Sequence, residues 1–402
     1  MRPKHELGEL IREQWPRIEA STRLTSHHKR MLKALAQCRT AALGGHLDAC
    51  SDCGAVRISY NSCRNRHCPK CQGAQREAWI RAREEHLLPV PYFHLVFTLP
   101  DALNPLAIKH PKLIYGVLFR AAWQTMQTFA KDHKHLGAEA AMVAILHTWG
   151  QTLSLHPHLH CIVPGGGLTK MGKWKQARNK GKFLFPVKAM SQVFRAKFVA
   201  GLRQLRQAGK MAYTAGAALL ADETAWRELL HPLFQKPWVI YAKRPFAGPE
   251  QVIRYLGRYT HRIALANHRL RRIEGGQVSF TWKDYRKGSK KGIITLKASE
   301  FLRRFCLHIL PPGFTRLRHY GILASRNKTQ ALTQARDSLG VQAPPKPQPQ
   351  TWQEKLQEVN GLDLGQCPGC KKGRMKPLRG ITPNARSPPA TTLPTRRRRT
   401  ST

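Results

Sequence analysis

Apolar runs and amphipathic stretches alternate along most of the chain. Segments dense in aromatic and branched residues are typical of strands, and they occur at Tyr92–Leu99, Met142–Trp149, Leu159–Val163, Trp238–Ala242, Val278–Lys283 and Ile293–Lys297. Apolar residues at helical spacing predict helices within residues 1–45, 72–88, 102–135, 189–208, 216–231, 248–264 and 299–310. A short polar stretch separates the two apolar runs between 142 and 163, so we expect adjacent antiparallel strands there.

This order of elements predicts an α+β protein, with an antiparallel sheet and flanking helices. Residues 1–90 are predicted to form a small helical module that contains a cysteine-rich block, and residues 91–330 the main domain. Residues 343–350 are a Pro-rich linker, and the chain from Lys371 onward has ten basic and no acidic residues. We therefore expect residues 331–402 to form a linker and a disordered basic tail.

The chain is strongly basic. Its 402 residues include 68 Lys and Arg against 23 Asp and Glu, a formal net charge of +45. Repulsion among so many positive charges destabilises the folded chain unless a polyanion neutralises part of the charge. Nucleic acid is such a polyanion, and each phosphate that the protein neutralises releases counterions, which favours binding. No apolar run is long enough to cross a membrane and Met1–Ala20 has no signal-peptide pattern, which predicts a cytoplasmic protein. Charge alone indicates the partner but not the activity.

Two C-x-x-C pairs separated by fourteen residues predict a structural zinc site. Two such pairs can supply four thiolates to one tetrahedral ion, and the expected ligands are Cys50, Cys53, Cys68 and Cys71. Cys63 and His67 lie within reach and could replace a ligand, whereas Cys38 is expected to be a spectator. Cys367–Cys370 is half a site, which could pair with another chain, with Cys306 or with nothing.

Basic residues are interleaved with these cysteines. Arg64 and Arg66 are the main candidates for DNA contacts in this module. A folding module with a solvated basic face explains the same residues equally well.

A histidine cluster precedes the second apolar run of the expected strand pair. Because strand side chains alternate, His158 and His160 should share one face, with Leu159 on the other. Two imidazoles on one face leave open positions on an ion, and with Gln151 as an oxygen donor they would suit Mg²⁺ or Mn²⁺. Other candidates for the third ligand are His156, His94 and His261. The alternative is that these histidines are hydrogen-bonded structural residues.

Two tyrosines lie four residues apart in the helix predicted after Gly248. Their spacing places the hydroxyls of Tyr255 and Tyr259 on one helix face. A phenol is a weak nucleophile at neutral pH, and nearby cations would favour the phenolate and bind a phosphate. The surrounding basic candidates are Arg254, Arg258, His261 and Arg262. The alternative is one tyrosine in the core and the other in a hydrogen bond.

Together these motifs resemble the HUH endonuclease superfamily, in which a His-hydrophobic-His strand precedes a Tyr-x-x-x-Tyr helix. Four further segments resemble the zinc-binding transposases of the insertion sequence ninety-one family. They are the cysteine block from Cys50 to Cys71, Phe93–Pro100, Tyr255–Arg262 and Phe314–Gly321. The resemblance covers roughly residues 10–330, and it implies an HUH-type catalytic transposase domain within residues 91–330.

The resemblance also implies an activity and partners. His158 and His160 would hold a divalent cation at the scissile phosphate, and Tyr255 or Tyr259 would attack, leaving a 5′-phosphotyrosine link and a free 3′-OH. The other tyrosine would serve the later strand transfer in rolling-circle transposition. The expected partners are single-stranded or hairpin DNA at the ends of the element and target DNA, with no nucleotide cofactor and no membrane. The expected location is the bacterial cytoplasm, in association with the nucleoid.

Two other functions are compatible with the same residues. A plasmid replication initiator or a conjugative relaxase would use the same active site, but the cysteine block ahead of the catalytic domain favours the transposase. A non-enzymatic zinc protein that binds DNA or RNA would require both the histidine and the tyrosine patterns to be coincidental.

Overall fold

The chain forms two compact units. The computed structural model describes residues 3–71, 76, 79–80, 83–178, 183–211, 222–243, 257, 263–284, 288, 290–344, 350–351, 354, 357–358, 361 and 363–383. One unit, here called the cysteine unit, comprises residues 7–23, 29–71 and 348–402. The other, the sheet unit, comprises residues 1–6, 24–28 and 72–347.

The described helices and strands are numbered in chain order. The helices are α1 (Leu7–Glu13), α2 (Trp15–Ala20), α3 (Ser26–Gln37), α4 (Asn104–Lys109), α5 (Pro111–Lys131), α6 (Val187–Gln207), α7 (Glu223–Gln235), α8 (Ala298–Cys306) and α9 (Lys328–Leu339). The strands are β1 (Gly45–Cys50), β2 (Val56–Tyr60), β3 (Tyr92–Thr98), β4 (Ala141–Trp149), β5 (Leu155–Pro164), β6 (Gly166–Leu168), β7 (Trp174–Gln176), β8 (Ile240–Lys243), β9 (Leu270–Glu274), β10 (Gln277–Asp284), β11 (Lys290–Lys297), β12 (Leu317–Gly321) and β13 (Met375–Ile381).

A five-stranded sheet in the order β12-β4-β5-β3-β8 is the centre of the sheet unit, and all its neighbouring strands are antiparallel. One face packs against α5 and α6, with Phe97, Phe119, Phe194 and Phe198 fully buried. Each such burial contributes about 1.5–3 kcal/mol. Packing on this face therefore stabilises the sheet. The strands are continuous apolar segments in the sequence because their central residues are covered on both faces of the sheet.

The opposite face of the sheet is divided along its length. At one end Val143 and Ile162 pack with Leu332 and Ala335 of α9. Toward the other end, β4 and β5 carry histidines on this face, because His147 and His158 occupy the same alternate positions as Val143 and Ile162. The candidate site is therefore on the side of the sheet away from α5 and α6.

The structure confirms the α+β fold and most of the strand predictions. The segments expected to be adjacent antiparallel strands are β4 and β5. The strands predicted at Val278–Lys283 and Ile293–Lys297 are β10 and β11, which pair antiparallel and which β9 extends to a three-stranded sheet. Among the described residues, no helix is both long and apolar enough to cross a membrane.

The cysteine unit contains a second three-stranded sheet, in the order β13-β1-β2. Its outer strand β13 comes from the segment that the sequence predicts to be a disordered tail, so that expectation is wrong for residues 375–381. Backbone pairing with β1 over its whole length holds β13 in place. The expected module 1–90 is likewise joined by residues from beyond 331, and residues 384–402 lie outside the described residues.

Candidate functional site

Three histidines converge on the face of the central sheet that lies away from α5 and α6. His147 of β4 lies directly opposite His158 of β5, and His160 follows two residues later on the same face. The ring nitrogens of the three side chains lie within 4.8 Å of one another. His147 and His160 are buried and His158 is half-buried, so the cluster opens toward solvent at His158.

Neighbouring groups orient the three rings, and a hydrogen bond fixes the tautomer of His158. His158 Nδ1 donates to the backbone oxygen of His156 at 2.6 Å, so in the neutral ring the lone pair is on Nε2. Nδ1 of His160 lies 2.8 Å from Nε2 of His94, which orients the His160 ring. The His147 ring stacks on Trp149 with centroids 4.5 Å apart. A backbone carbonyl on the far ring nitrogen, as at His158, is typical of metal-binding histidines.

The nitrogen positions fit a divalent cation. Nε2 of His158 and Nε2 of His160 are 3.2 Å apart. Two imidazole nitrogens about 2.1 Å from one ion would be roughly 3.0 Å apart at a right angle and roughly 3.4 Å apart in a tetrahedron. His147, His158 and His160 are therefore able to hold one ion and leave positions for a ligand.

The third histidine differs from the candidates proposed from the sequence. Gln151 lies in the turn after β4, and its backbone oxygen accepts a hydrogen bond from Arg269 Nη2 at 2.5 Å. His94 contacts His160 from β3, and His156 lies 4.0 Å from Asp101. A role for Gln151 as a ligand stays a prediction, while His147 is the residue that the sheet brings to the histidine pair.

The turn between β4 and β5 is held from a distant helix. His308, just after α8, is completely buried: its Nε2 donates to the backbone oxygen of Leu153, and its Nδ1 lies 3.2 Å from Thr148 Oγ1. Burial lowers the pKa of His308 from its usual 6.5 to about 4. His308 is therefore neutral near pH 7, and it fixes the turn that follows His147.

The tyrosine pair and its basic neighbours lie outside the described residues. This applies to Tyr255, Tyr259, Arg254, Arg258, His261 and Arg262. Gly257, between the tyrosines in sequence, is helical and buried, and a Cβ built on it would lie 2.4 Å from Cδ1 of Ile80. A larger residue at this position would require the Ile80 side chain to move.

Eight of the ten cysteines form two clusters instead of the single site expected from the sequence. One contains Cys38, Cys63, Cys68 and Cys71, and the other contains Cys50, Cys53, Cys367 and Cys370. The expected grouping is therefore wrong: Cys38 is a member of a cluster, Cys63 joins it, and Cys367–Cys370 completes the other.

The β1–β2 hairpin explains this division. Cys50 and Cys53 lie at its tip, whereas Cys63 follows its base, where Gly45 pairs with Tyr60. Five residues of strand span roughly 17 Å, so the thiols at the tip cannot share an ion with those at the base. Cys38 is close to the base because Arg39 N donates to the backbone oxygen of Asn61.

The base cluster fits a structural zinc ion. Its Sγ atoms are separated by 3.4 Å for Cys38–Cys71, 3.5 Å for Cys38–Cys68 and 3.7 Å for Cys63–Cys71. Four sulfurs about 2.3 Å from a tetrahedral ion lie roughly 3.8 Å apart. Hydrogen bonds within the cluster lower the pKa of Cys71 and raise the pKa of Cys63 and Cys68. The spacing of the four sulfurs is therefore the observation that supports zinc at this cluster.

The basic candidates of this region differ in exposure. Arg64, which has a left-handed φ of 51°, is exposed, while Arg66 is half-buried. Arg64 is thus accessible to a phosphate backbone, and DNA contact by either residue stays a prediction.

Comparison with known proteins gives consistent matches over both units. The family model described as "Transposase zinc-binding domain" matches residues 10–99, and the one described as "Putative transposase" matches residues 141–331. "Putative transposase y4qJ" of Sinorhizobium fredii is 48% identical over 357 residues, 88% of this chain and 89% of the relative. "Transposase for insertion sequence element IS801" of Pseudomonas savastanoi pv. phaseolicola is 29% identical over 317 residues, 76% of this chain and 73% of the relative. No solved structure matches.

The two family matches, together with the cysteine clusters, define the class of protein as a zinc-binding transposase. The extent of the matches identifies the family. The chain belongs to the IS91 family of insertion-sequence transposases.

Proposed function

We propose that this transposase nicks and rejoins single-stranded DNA at the ends of its element, through a 5′-phosphotyrosine intermediate in rolling-circle transposition. The observation that carries the proposal is the convergence of three imidazoles on one face of the sheet, with His158 half-buried. Such a centre, with positions left for a phosphate oxygen, suits metal-assisted phosphoryl transfer.

His147, His158 and His160 would hold the divalent cation of this reaction. Of Mg²⁺ and Mn²⁺, the second is the better match, because Mg²⁺ strongly prefers oxygen ligands whereas Mn²⁺ also accepts imidazole. When bound, the ion would polarise the scissile phosphate and stabilise the charge that develops on it. The hydrogen bonds from His158 to the His156 backbone and between His160 and His94 keep both rings oriented for this role.

Tyr255 or Tyr259 supplies the nucleophile in this proposal. The phenol loses its proton, its oxygen forms a bond to phosphorus, and the bond from phosphorus to the 3′ oxygen breaks. That oxygen takes a proton and leaves as a free 3′-OH. The second tyrosine receives the other strand end in the later transfer step, which leaves both ends attached to one protein.

Arg269 supports a position of the tyrosine segment near the histidines. Its guanidinium donates to the backbone oxygens of Ala264, Thr281 and Gln151. Ala264 comes two residues after Arg262, and Gln151 is in the turn that follows His147. Arg269 thus ties the chain just beyond the tyrosines to the turn beside the metal centre.

Covalent capture tests the nucleophile. Incubation with Mn²⁺ and a labelled single-stranded oligonucleotide from the element's end should give an adduct with the parent chain. The double variant Tyr255→Phe/Tyr259→Phe should give none while it still binds the oligonucleotide. An adduct that persists in the double variant would show that the tyrosine assignment is wrong.

A matched pair of variants tests the third ligand. His147→Ala removes an imidazole from the centre, while Gln151→Ala removes the candidate proposed from the sequence. Changes next to a metal ligand typically cost 10–100-fold in metal affinity, so we expect His147→Ala to weaken Mn²⁺ binding by roughly 100-fold or more in calorimetric titration. Gln151→Ala should change it only slightly, and the reverse order would refute the role of His147.

A further inference from the structure

The second cysteine cluster lies at the tip of the β1–β2 hairpin. Its four Sγ atoms lie within 4.8 Å of one another. The Cys50–Cys370 and Cys53–Cys367 sulfur pairs are both 3.7 Å apart. A disulfide would require about 2.05 Å, whereas a tetrahedral ion with bonds of about 2.3 Å requires roughly 3.8 Å between sulfurs. The spacing therefore matches four thiolates around one ion.

Backbone amides support the thiolates at both ends of the cluster. The amides of Asp52 and Cys53 donate to Cys50 Sγ at 3.4 and 3.5 Å. In the other half, Gly369 N donates to Cys367 Sγ and Gly373 N to Cys370 Sγ, each at 3.4 Å. Hydrogen bonds to the charged form of a group stabilise that form. The two C-x-x-C turns are thus built alike, although more than 300 residues separate them in the sequence.

Strand pairing brings the two halves together. β13 runs antiparallel to β1, and Met375 pairs with Cys50, so the turn that precedes β13 is at the tip of the hairpin. A Cβ built on Gly373 would lie 2.5 Å from Cys50 Sγ and 2.5 Å from Asp52 Cβ. No side chain fits there, and this glycine allows the two turns to close around a common point.

The sheet β13-β1-β2 has very little core of its own. Five of the seven residues of β13 are exposed, and in β1 only Asp48 and Cys50 are buried. Small sheets with so little apolar burial usually need a metal or a disulfide to stay folded. The free thiols of this cluster are positioned for the metal.

We propose that Cys50, Cys53, Cys367 and Cys370 bind a second structural zinc ion, separate from the ion held at the base of the hairpin. This ion fastens β13 to the β1–β2 hairpin. All four coordination positions are filled by cysteine, which is typical of structural sites and leaves no place for a substrate.

Zinc content measured on the full chain tests the proposal. The chain is loaded with Zn²⁺, freed of excess metal by gel filtration and assayed by elemental mass spectrometry. The variant Cys367→Ser/Cys370→Ser should contain one zinc fewer than the parent. The control variant Lys372→Ser/Lys376→Ser changes exposed residues of the same segment and should contain as much as the parent. The quantity compared is the difference in zinc content between variant and parent, so any zinc bound at the histidines contributes equally to both and does not affect the result.

An unchanged zinc content in the cysteine variant would overturn the second site, and so would the loss of iron in place of zinc. A second measurement on the parent chain covers the case in which the variant does not fold. In the zinc-loaded chain, Cys367 and Cys370 should resist alkylation, and a chelator should expose them together with Cys50 and Cys53. Equal alkylation rates with and without chelator would reject the site, as would protection that yields only to a reductant.

Discussion

Gly321 at the end of β12 provides a test of how the strand beside β4 is held. Its φ is +62°, a left-handed value, and a Cβ built on it would lie 1.8 Å from the backbone oxygen of Ala140 and 2.8 Å from Trp123. Gly321 also pairs with Ala141, the first residue of the strand that ends in the His147 region. The change Gly321→Ala should therefore loosen β12 and reduce the support of the central sheet.

Two costs add up in this variant. A non-glycine residue in the left-handed region costs about 1–2 kcal/mol, and forcing an extra methyl into a filled position typically costs about 1–3 kcal/mol. The sum predicts a loss of about 2–5 kcal/mol of unfolding free energy. Gly340 at the end of α9 isolates the first cost, since its φ is +66° and no atom lies within 4 Å of its built Cβ.

Urea unfolding of the zinc-loaded chains, followed by tryptophan fluorescence, measures both variants. Gly340→Ala should lose about 1–2 kcal/mol, and Gly321→Ala should lose about 1–3 kcal/mol more than that. If both variants lose the same amount, the contact with Ala140 does not limit the size of residue 321, and the reasoning fails.

Two further predictions concern the turn beside the histidine cluster. His308 has a folded-state pKa of about 4, so as the pH falls the unfolded chain takes up a proton at this residue before the folded chain does. The contribution of His308 to the free energy of unfolding is therefore complete above about pH 6.5 and is lost toward pH 4. The change amounts to up to about 3 kcal/mol. In urea unfolding, His308→Asn should lose less unfolding free energy than the parent between pH 6.5 and pH 4. An equal dependence on pH in parent and variant would contradict the lowered pKa of His308. Arg269→Lys removes the guanidinium fork and should slow single-strand cleavage by tenfold or more with unchanged Mn²⁺ binding, as measured by kinetics and calorimetry; equal rates would argue against a positioning role.

The positions of the strands could be predicted because strands form where apolar and β-branched residues are concentrated. β3, β4, β5, β10 and β11 all occur where dense apolar or alternating segments predict strands. The His158–His160 pair was equally predictable, because alternation along a strand is a local property.

His147 was missed for a reason of register. It lies near the end of the apolar run Met142–Trp149, where it resembles a buried core residue. Only the pairing of β4 with β5, including the irregularity between His147 and Trp149, places it opposite His158. A single sequence does not specify that register, because a shift of one residue would turn His147 to the other face.

The cysteine grouping was missed because all the C-x-x-C pairs look alike. The alternating segment Val56–Tyr60 was the available signal, since a strand there makes residues 51–55 a tight turn and keeps Cys50 away from Cys68. No comparable signal marked β13, where Pro377 and a row of exposed side chains lack a strand pattern. Its place in the sheet depends on backbone pairing, in which Pro377 lies beside the register shift at Asp48.

The cysteine unit is built from two segments that are far apart in the sequence, and this determines the order in which its strands are synthesised. β1 and β2 leave the ribosome roughly 300 residues before β13, a delay of about 15–60 s at 5–20 residues per second. The sheet unit can be complete before the hairpin receives its outer strand. A chain whose translation stops early therefore lacks one edge of its zinc-bearing sheet, and completed translation becomes a condition for a finished transposase.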